Sequence, residues 1–153
     1  MVASLKQVLD TPFFGAISTE NRVKILEAYW EGIASVIPEA FGLSGAGVPV
    51  SGDPVEYGIQ KSTSVMIMHQ LLIPTLELLR SEGKSVVEPE NYAEALCDPL
   101  LNLEGDTGKG GVARGADFWL SGVEGAAGSF SSNAGRRVLA ARLRSSLPEV
   151  EIE

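Results

Sequence analysis

The chain has 153 residues, of which 44% are hydrophobic, and its formal net charge is −8 at pH 7. This length and hydrophobic fraction suit one compact domain with a core of its own and exclude a disordered chain. The acidic balance argues against tight, non-specific binding of duplex DNA, since that affinity depends on many Lys and Arg contacts to phosphate.

Cys97 is the only cysteine, so the sequence excludes an intramolecular disulfide and a multi-cysteine metal site. Leu96 and Leu100 lie near it, and we expect a small buried side chain. No apolar run reaches the roughly 18 residues of a membrane span. Residues 1–6 lack the apolar stretch of a signal peptide. We therefore expect a cytoplasmic protein with no membrane partner, no metal and no cofactor.

The first part of the chain predicts two helices. Residues 2–10 favour a short helix that Pro12 limits, within an N-terminal arm of residues 1–17. Ser18 or Thr19 suits the N-cap of the next helix. Apolar residues then recur at steps of three and four, which predicts one buried stripe: Val23, Leu26, Trp30, Ile33 and Ile37.

A long connection and a central helix follow. Residues 42–58 are rich in Gly and Pro, and loops of this length are usually functional or mobile. Ser62 and Thr63 open the next predicted helix, which is apolar on nearly every side and is therefore expected to be central and buried. Pro74 lies inside this helix and predicts a bend or a break. Gly83 favours its end.

A fourth helix is predicted over residues 89–103, with Pro89 in its first turn and Pro99 limiting it. Its apolar stripe consists of Tyr92, Leu96, Leu100 and Leu103. Residues 104–116 are Gly-rich, and we expect them to be mobile, like residues 42–58.

The last helix is predicted over residues 133–146, capped by Ser131 or Ser132 and stopped by Pro148. Residues 149–153 are expected to form a disordered tail. The sequence shows no convincing strand pattern. It therefore predicts an all-α fold, with residues 1–153 forming a single compact helical domain of four to six helices joined by long Gly-rich loops. From the stripe positions we predict a core of Leu26, Trp30, Ile33, Met68, Leu72, Leu76 and Leu139.

Two features resemble catalytic or nucleotide sites but favour a structural interpretation. Residues 105–111 resemble a phosphate loop, yet Leu103 occupies a required glycine position. Gly110 follows the lysine where a magnesium-binding Ser or Thr is required, so a solvated turn is predicted. His69, the only histidine, lies in the most apolar helix with no nucleophile elbow, so a core or interface role is favoured.

Residues 125–137 are the more specific candidate. Glycines and small residues precede the start of the last helix, and the exposed backbone N–H groups there suit an anion. Arg136 and Arg137 lie in the first helical turn, where positive charge opposes the helix dipole, so we expect them to have partners. The favoured partners are acids of the 88–106 region. The alternative is a phosphate of nucleic acid or of a small ligand.

Several blocks of the chain point to one family: Asn21-Arg22, Tyr29-Trp30, Gln60-Lys61-Ser62-Thr63-Ser64-Val65, Phe118-Trp119, Gly125-Ala126-Ala127, Ser131-Ser132 and Gly135-Arg136-Arg137. Together they resemble the C-terminal helical half of the DGQHR-domain proteins, relatives of the regulator encoded with the DNA phosphorothioation genes. The resemblance spans roughly residues 10–148. The Asp-Gly-Gln-His-Arg motif of the family's N-terminal, ParB-like domain is absent, because the only histidine lies in Met68-His69-Gln70. The action of that domain on DNA is therefore not carried over.

The resemblance implies a non-enzymatic helical module of a DNA-modification or phage-defence system, acting through association with protein or DNA. Its partner would be a ParB-like domain or a second copy, with nucleic acid bound only weakly through Arg136 and Arg137. It implies one candidate anion or partner site, with no catalytic residue: Lys61, Ser62, Thr63, Ser131, Ser132, Arg136 and Arg137. One alternative is a structural or assembly scaffold with no nucleic-acid role. A third interpretation is a small enzyme whose Gly-rich loops act as lids.

Overall fold

The computed structural model describes residues 2–42, 57–59 and 61–149. These ranges contain six α-helices: α1 Val2–Leu9, α2 Pro12–Gly15, α3 Thr19–Val36, α4 Ser62–Ser81, α5 Pro89–Leu101 and α6 Asn133–Ser145. They also contain two short antiparallel strands, β1 Glu104–Asp106 and β2 Val112–Arg114. The fold is therefore mostly helical, as predicted, but the hairpin corrects the all-α assignment.

Local sequence signals determine where most helices begin. Ser18 caps α3 by accepting a hydrogen bond from the Asn21 backbone N–H, and Ser132 caps α6 in the same way. Pro89 occupies the first turn of α5, where its missing N–H costs nothing. The predicted helix starts at these three positions are confirmed.

The buried face of α3 differs from the predicted stripe. This helix packs closely on α5 through Gly32, where a Cβ would lie 2.5 Å from the Cβ of Tyr92. The close approach turns another set of side chains into the core: Ile25, Ala28, Tyr29 and Ile33. Val23 is 47% exposed, while Leu26 and Trp30 are only partly buried. The predicted stripe was therefore wrong in phase, except at its C-terminal end.

Helix α4 is the central element, because it contacts α1, α5 and α6 and is also joined to α3 by a side-chain hydrogen bond. Met68, Leu72 and Leu76 are fully buried in α4, and Leu139 of α6 is buried as well. These four positions confirm the corresponding part of the predicted core. Tyr29 ties α3 to α4, since its hydroxyl donates to the Met68 carbonyl at 2.6 Å.

Pro74 lies inside α4 without ending it, so the predicted break is wrong. Proline has no N–H to offer the carbonyl of Gln70, four residues earlier. Gln70 is exposed, so water can reach that carbonyl. One residue on, the Thr75 hydroxyl donates to the Leu71 carbonyl at 2.8 Å. Pro99 likewise lies inside α5 and does not limit it.

The structure differs from two further predictions, and others fall on residues that it does not describe. Cys97 is exposed, not buried. The predicted Gly-rich connection over residues 104–116 contains the β1–β2 hairpin. Predictions for residues 43–56 and 150–153 fall outside the described residues. None of the helices in the described part combines the length and apolarity that crossing a bilayer requires.

Candidate anion pocket and basic helix face

The start of α4 is fixed against the loop that follows Trp119. Tyr57 forms an antiparallel bridge with Leu120, and the Gly58 N–H donates to the Trp119 carbonyl. Trp119 is fully buried, and its indole N–H donates to the Leu100 carbonyl at 3.1 Å. A rigid aromatic anchor therefore positions the backbone from which α4 departs.

The same loop folds back tightly on itself. A Cβ at position 125 would overlap the carbonyl of Leu120, so the close approach requires Gly125. The next residue, Ala126, is buried, and its N–H donates to the Phe118 carbonyl at 3.1 Å. The loop then forms the 3-10 turn Ala127–Phe130 and returns toward the start of α4.

A pocket of about 190 Å³ lies between the start of α4 and this loop. Three residues of the predicted site line it: Lys61, Thr63 and Ser131. The remaining lining residues are Gly58, Ser64, Leu120, Ser121, Gly122, Ala127 and Gly128. The structure thus brings the start of α4 and the small-residue loop together, and anion binding there stays a prediction.

The pocket is electrostatically suited to an anion. None of the described residues that line it is acidic, and α4 carries no acid in its first turn. Lys61 stands at the N-cap of α4, where its side chain cannot accept a hydrogen bond from the helix. It is exposed and forms no ion pair with any residue in the described part of the chain.

The other predicted site residues have different surroundings. The Ser132 hydroxyl caps α6 by accepting from the Gly135 N–H at 3.0 Å. Arg136 reaches back to the Ser131 carbonyl, with Nη1 at 3.3 Å, and also bonds the Asn133 side chain. Arg136 is therefore held beside the pocket by local contacts. Ser62 begins α4, and its side chain falls outside what the structure describes.

The favoured acidic partners of the two arginines are not found. Among the described residues, no arginine of α6 forms an ion pair. Glu94 pairs with Lys84 at 3.1 Å, and Glu104 pairs with Arg114 at 2.7 Å. Arg137 is exposed, whereas Arg136 has the local partners given above. The prediction of acids from the 88–106 region is therefore wrong.

Two further arginines of α6, Arg142 and Arg144, were not among the predicted site residues. Arg142 stacks on the Phe130 ring, with its guanidinium carbon 5.2 Å from the ring centre. Arg144 is exposed and, like Arg137, has no partner among the residues that the structure describes. The spacing of seven residues between Arg137 and Arg144 would have revealed that they share a helix face.

His69 has the buried position that was predicted. It is 3% exposed, its Nδ1 lies 3.0 Å from Ser4 Oγ, and the Trp30 ring packs edge-on against it at 5.9 Å. It therefore joins α1, α3 and α4. In the described ranges, no group of three or more His, Cys, Asp or Glu side chains is placed to hold a metal ion.

No family model, no curated protein and no solved structure matches this chain. The resemblance to DGQHR-domain proteins therefore stays a prediction.

Proposed function

We propose that this chain is a non-enzymatic helical module that binds the phosphate backbone of nucleic acid through one exposed face of α6. We call this surface the α6 arginine face and define it by Arg137, Val138, Ala141 and Arg144, all of which are exposed. One observation supports the proposal most directly. Arg137 and Arg144 have no ion pair in the described part of a chain whose acids outnumber its bases by 20 to 12.

The geometry of the face suits an extended polyanion. Arg137 and Arg144 are separated by about 10 Å along the helix axis, so they can contact two different phosphates. Ala141 lies between them on the same face, and its small side chain allows close approach of the partner. Only Leu139 and Leu143 of this helix are buried, so α6 is a surface helix.

The side-chain chemistry also favours phosphate. A guanidinium presents several donors in a planar arrangement that binds phosphate oxygens in pairs, which an ammonium group does not do. Backbone contacts of this kind carry no base sequence information. The net charge of −8 opposes association, so we expect weak binding that is strongly sensitive to salt.

The biological setting rests on the resemblance to DGQHR-domain proteins. That resemblance supports a DNA-modification or phage-defence system in which a ParB-like domain supplies the action on DNA. In such an assembly the helical module contributes contacts to the backbone, and its low affinity is raised when both parts bind the same duplex.

Binding of a fluorescent DNA duplex over a series of salt concentrations tests this function. The double variant Arg137→Ala/Arg144→Ala should weaken binding to every sequence. It should also reduce the steepness of the slope of log affinity against log salt concentration by about two or slightly less. Thermal stability should barely change, because both side chains are exposed and lack partners among the described residues.

A matched control is Lys6→Ala/Lys24→Ala, which removes the same charge from two exposed positions outside α6. This control should retain nearly the full salt dependence. If the two double variants lose the same affinity and the same salt dependence, net charge alone explains the effect and the proposal is contradicted. If the parent protein binds no nucleic acid at low salt but forms a stable homo-oligomer, the scaffold interpretation replaces the proposed function.

A further inference from the structure

The pocket at the start of α4 is lined by a buried hydroxyl that has no hydrogen-bond partner among the described residues. Ser64 lines this pocket and is 6% exposed. Its side chain makes no hydrogen bond to any described residue. Among the described residues, every polar side-chain atom that is completely shielded from solvent does have a hydrogen-bond partner. The Ser64 hydroxyl is therefore not completely shielded, and we take the pocket that Ser64 lines as the space to which it is open.

Backbone donors lie at the same helix start as this hydroxyl. The first N–H groups of a helix have no partner within the helix, and the N-cap residue normally satisfies one of them. Lys61 cannot do so, and no described residue accepts from the N–H groups of Thr63 or Ser64. Lys61, Thr63 and Ser64, the residues that carry these donors, all line this one small pocket.

We infer that this pocket is a binding site for a phosphate group carrying two negative charges. A phosphate provides the several acceptor oxygens that these donors require, and its charge matches the helix N-terminus and Lys61. Arg136 adds a second cation near this site, because its guanidinium donates to the carbonyl of Ser131, a residue that lines the pocket. The site is distinct from the α6 arginine face, so it does not rest on the proposed function.

The size of the pocket restricts the ligand. Pockets for drug-sized ligands usually occupy about 300 to 1,000 Å³. A volume of about 190 Å³ is sufficient for a phosphate and a few further atoms, but not for a whole nucleotide. The ligand is therefore inorganic phosphate, or the terminal phosphate monoester of a larger molecule whose remainder stays outside. The phosphorylated end of a nucleic-acid strand belongs to the second kind.

Titration of the whole chain with inorganic phosphate, followed by amide NMR, tests the site. The N–H signals of Thr63 and Ser64 should shift in a saturable manner. Sodium chloride at the same ionic strength should not reproduce the shift. The variant Lys61→Met and the variant Ser64→Ala should each weaken phosphate binding about tenfold or more, because each removes one charge-assisted contact.

The matched control is Lys109→Met, which removes the same charge from a lysine that is paired with Glu124 and does not line the pocket. It should bind phosphate as the parent does. A parent protein without a saturable shift, or equal binding by Lys61→Met and the parent, would overturn the inference. Because Lys61 is exposed, Lys61→Met should fold normally, and a melting curve without phosphate verifies this.

A second comparison identifies the source of the phosphate. An oligonucleotide with a 5′-phosphate should bind at least about tenfold tighter than the same strand with a 5′-hydroxyl if strand ends are the ligand. Equal binding of the two strands, together with saturable binding of inorganic phosphate, assigns the site to small phosphate compounds. Arg137→Ala/Arg144→Ala should leave the inorganic phosphate titration unchanged, which separates failure of this site from failure of the α6 arginine face.

Discussion

His69 is a buried ionisable residue at the contact between α1 and α4. It is 3% exposed, and its Nδ1 lies 3.0 Å from Ser4 Oγ. Burial lowers the pKa of His69 below its ordinary value, because desolvation disfavours the charged imidazolium. Folding therefore favours the neutral ring, whose Nδ1 shares a hydrogen bond with the Ser4 hydroxyl.

A pH dependence of stability follows from this burial. Above the unfolded pKa of about 6.5, both states hold a neutral ring and the free energy of unfolding is at its full value. Below that pH, the unfolded chain binds a proton at His69 that the folded chain does not yet bind. The free energy of unfolding therefore decreases as the pH is lowered, until the pH is below the lowered pKa of His69 in the folded state. His69→Gln should abolish this part of the pH dependence, and urea unfolding between about pH 8 and pH 5 measures it. Because the chain has a single histidine, parallel pH curves for parent and variant would contradict the prediction.

Cys97 shows why the burial of a single residue was hard to predict from its neighbours. Leu96 and Leu100 are both fully buried, yet Cys97 is exposed. Successive helical residues are rotated by about 100°, so a residue next to a buried one need not share its face. Local composition indicated an apolar helix, but only the packing of α5 determines which side faces the core.

At the scale of elements, the helix starts were predictable because their signals are local. Ser18, Pro89 and Ser132 act within a few residues of their own position, through backbone donors or a fixed φ angle. The face of α3 was not predictable in the same way. It depends on Gly32, a residue that carries no hydrophobic signal but allows α5 to approach closely.

The hairpin and the pocket also depend on contacts that are distant in sequence. Strands β1 and β2 have three residues each, too few to show alternation, and their glycines indicate only a turn. The resemblance to DGQHR-domain proteins pointed to Lys61, Thr63 and Ser131. Ser64 entered only through the three-dimensional structure, because its burial depends on the loop that folds over the start of α4.

The packing of the helices predicts a contrast between two apolar substitutions. Leu72→Ala in α4 should lower the free energy of unfolding by about 2–5 kcal/mol, because it leaves a cavity at a fully buried position. Val23→Ala in α3 is the control, and it should change stability by no more than about 0.5 kcal/mol because Val23 is 47% exposed. Urea unfolding of both variants makes the comparison. Similar costs would contradict the orientation of α3 described above.

At the scale of the whole molecule, the distribution of charge separates α6 from the rest of the surface. Outside α6, the basic residues that form ion pairs with acids are Lys24, Lys84, Lys109 and Arg114 among the residues that the structure describes. The basic helix and the pocket lie on a chain with a net charge of −8. The net negative charge opposes the approach of nucleic acid, so contacts to its backbone should be concentrated on α6.

The central position of α4 predicts how stability is distributed over the molecule. Amides of residues 67–79 should exchange with solvent slowest, because α4 packs against α1, α5 and α6 and opens only when the whole fold does. Residues 108–111 at the tip of the hairpin are exposed and should exchange fast, whereas the paired strands that flank them should be intermediate. Hydrogen exchange measured residue by residue makes this comparison.

The variant Leu72→Ala extends this prediction to the cooperativity of the fold. If the slowest amides of α4 and α5 exchange only through global unfolding, the variant should reduce the protection of both helices by the same free energy. That free energy should equal the loss measured in urea, about 2–5 kcal/mol. Reduced protection in α4 with unchanged protection in α5 would show that α5 unfolds separately. The Gly32 contact would then hold α3 and α5 together as a unit of their own, and α4 would not be the centre of a single cooperative core.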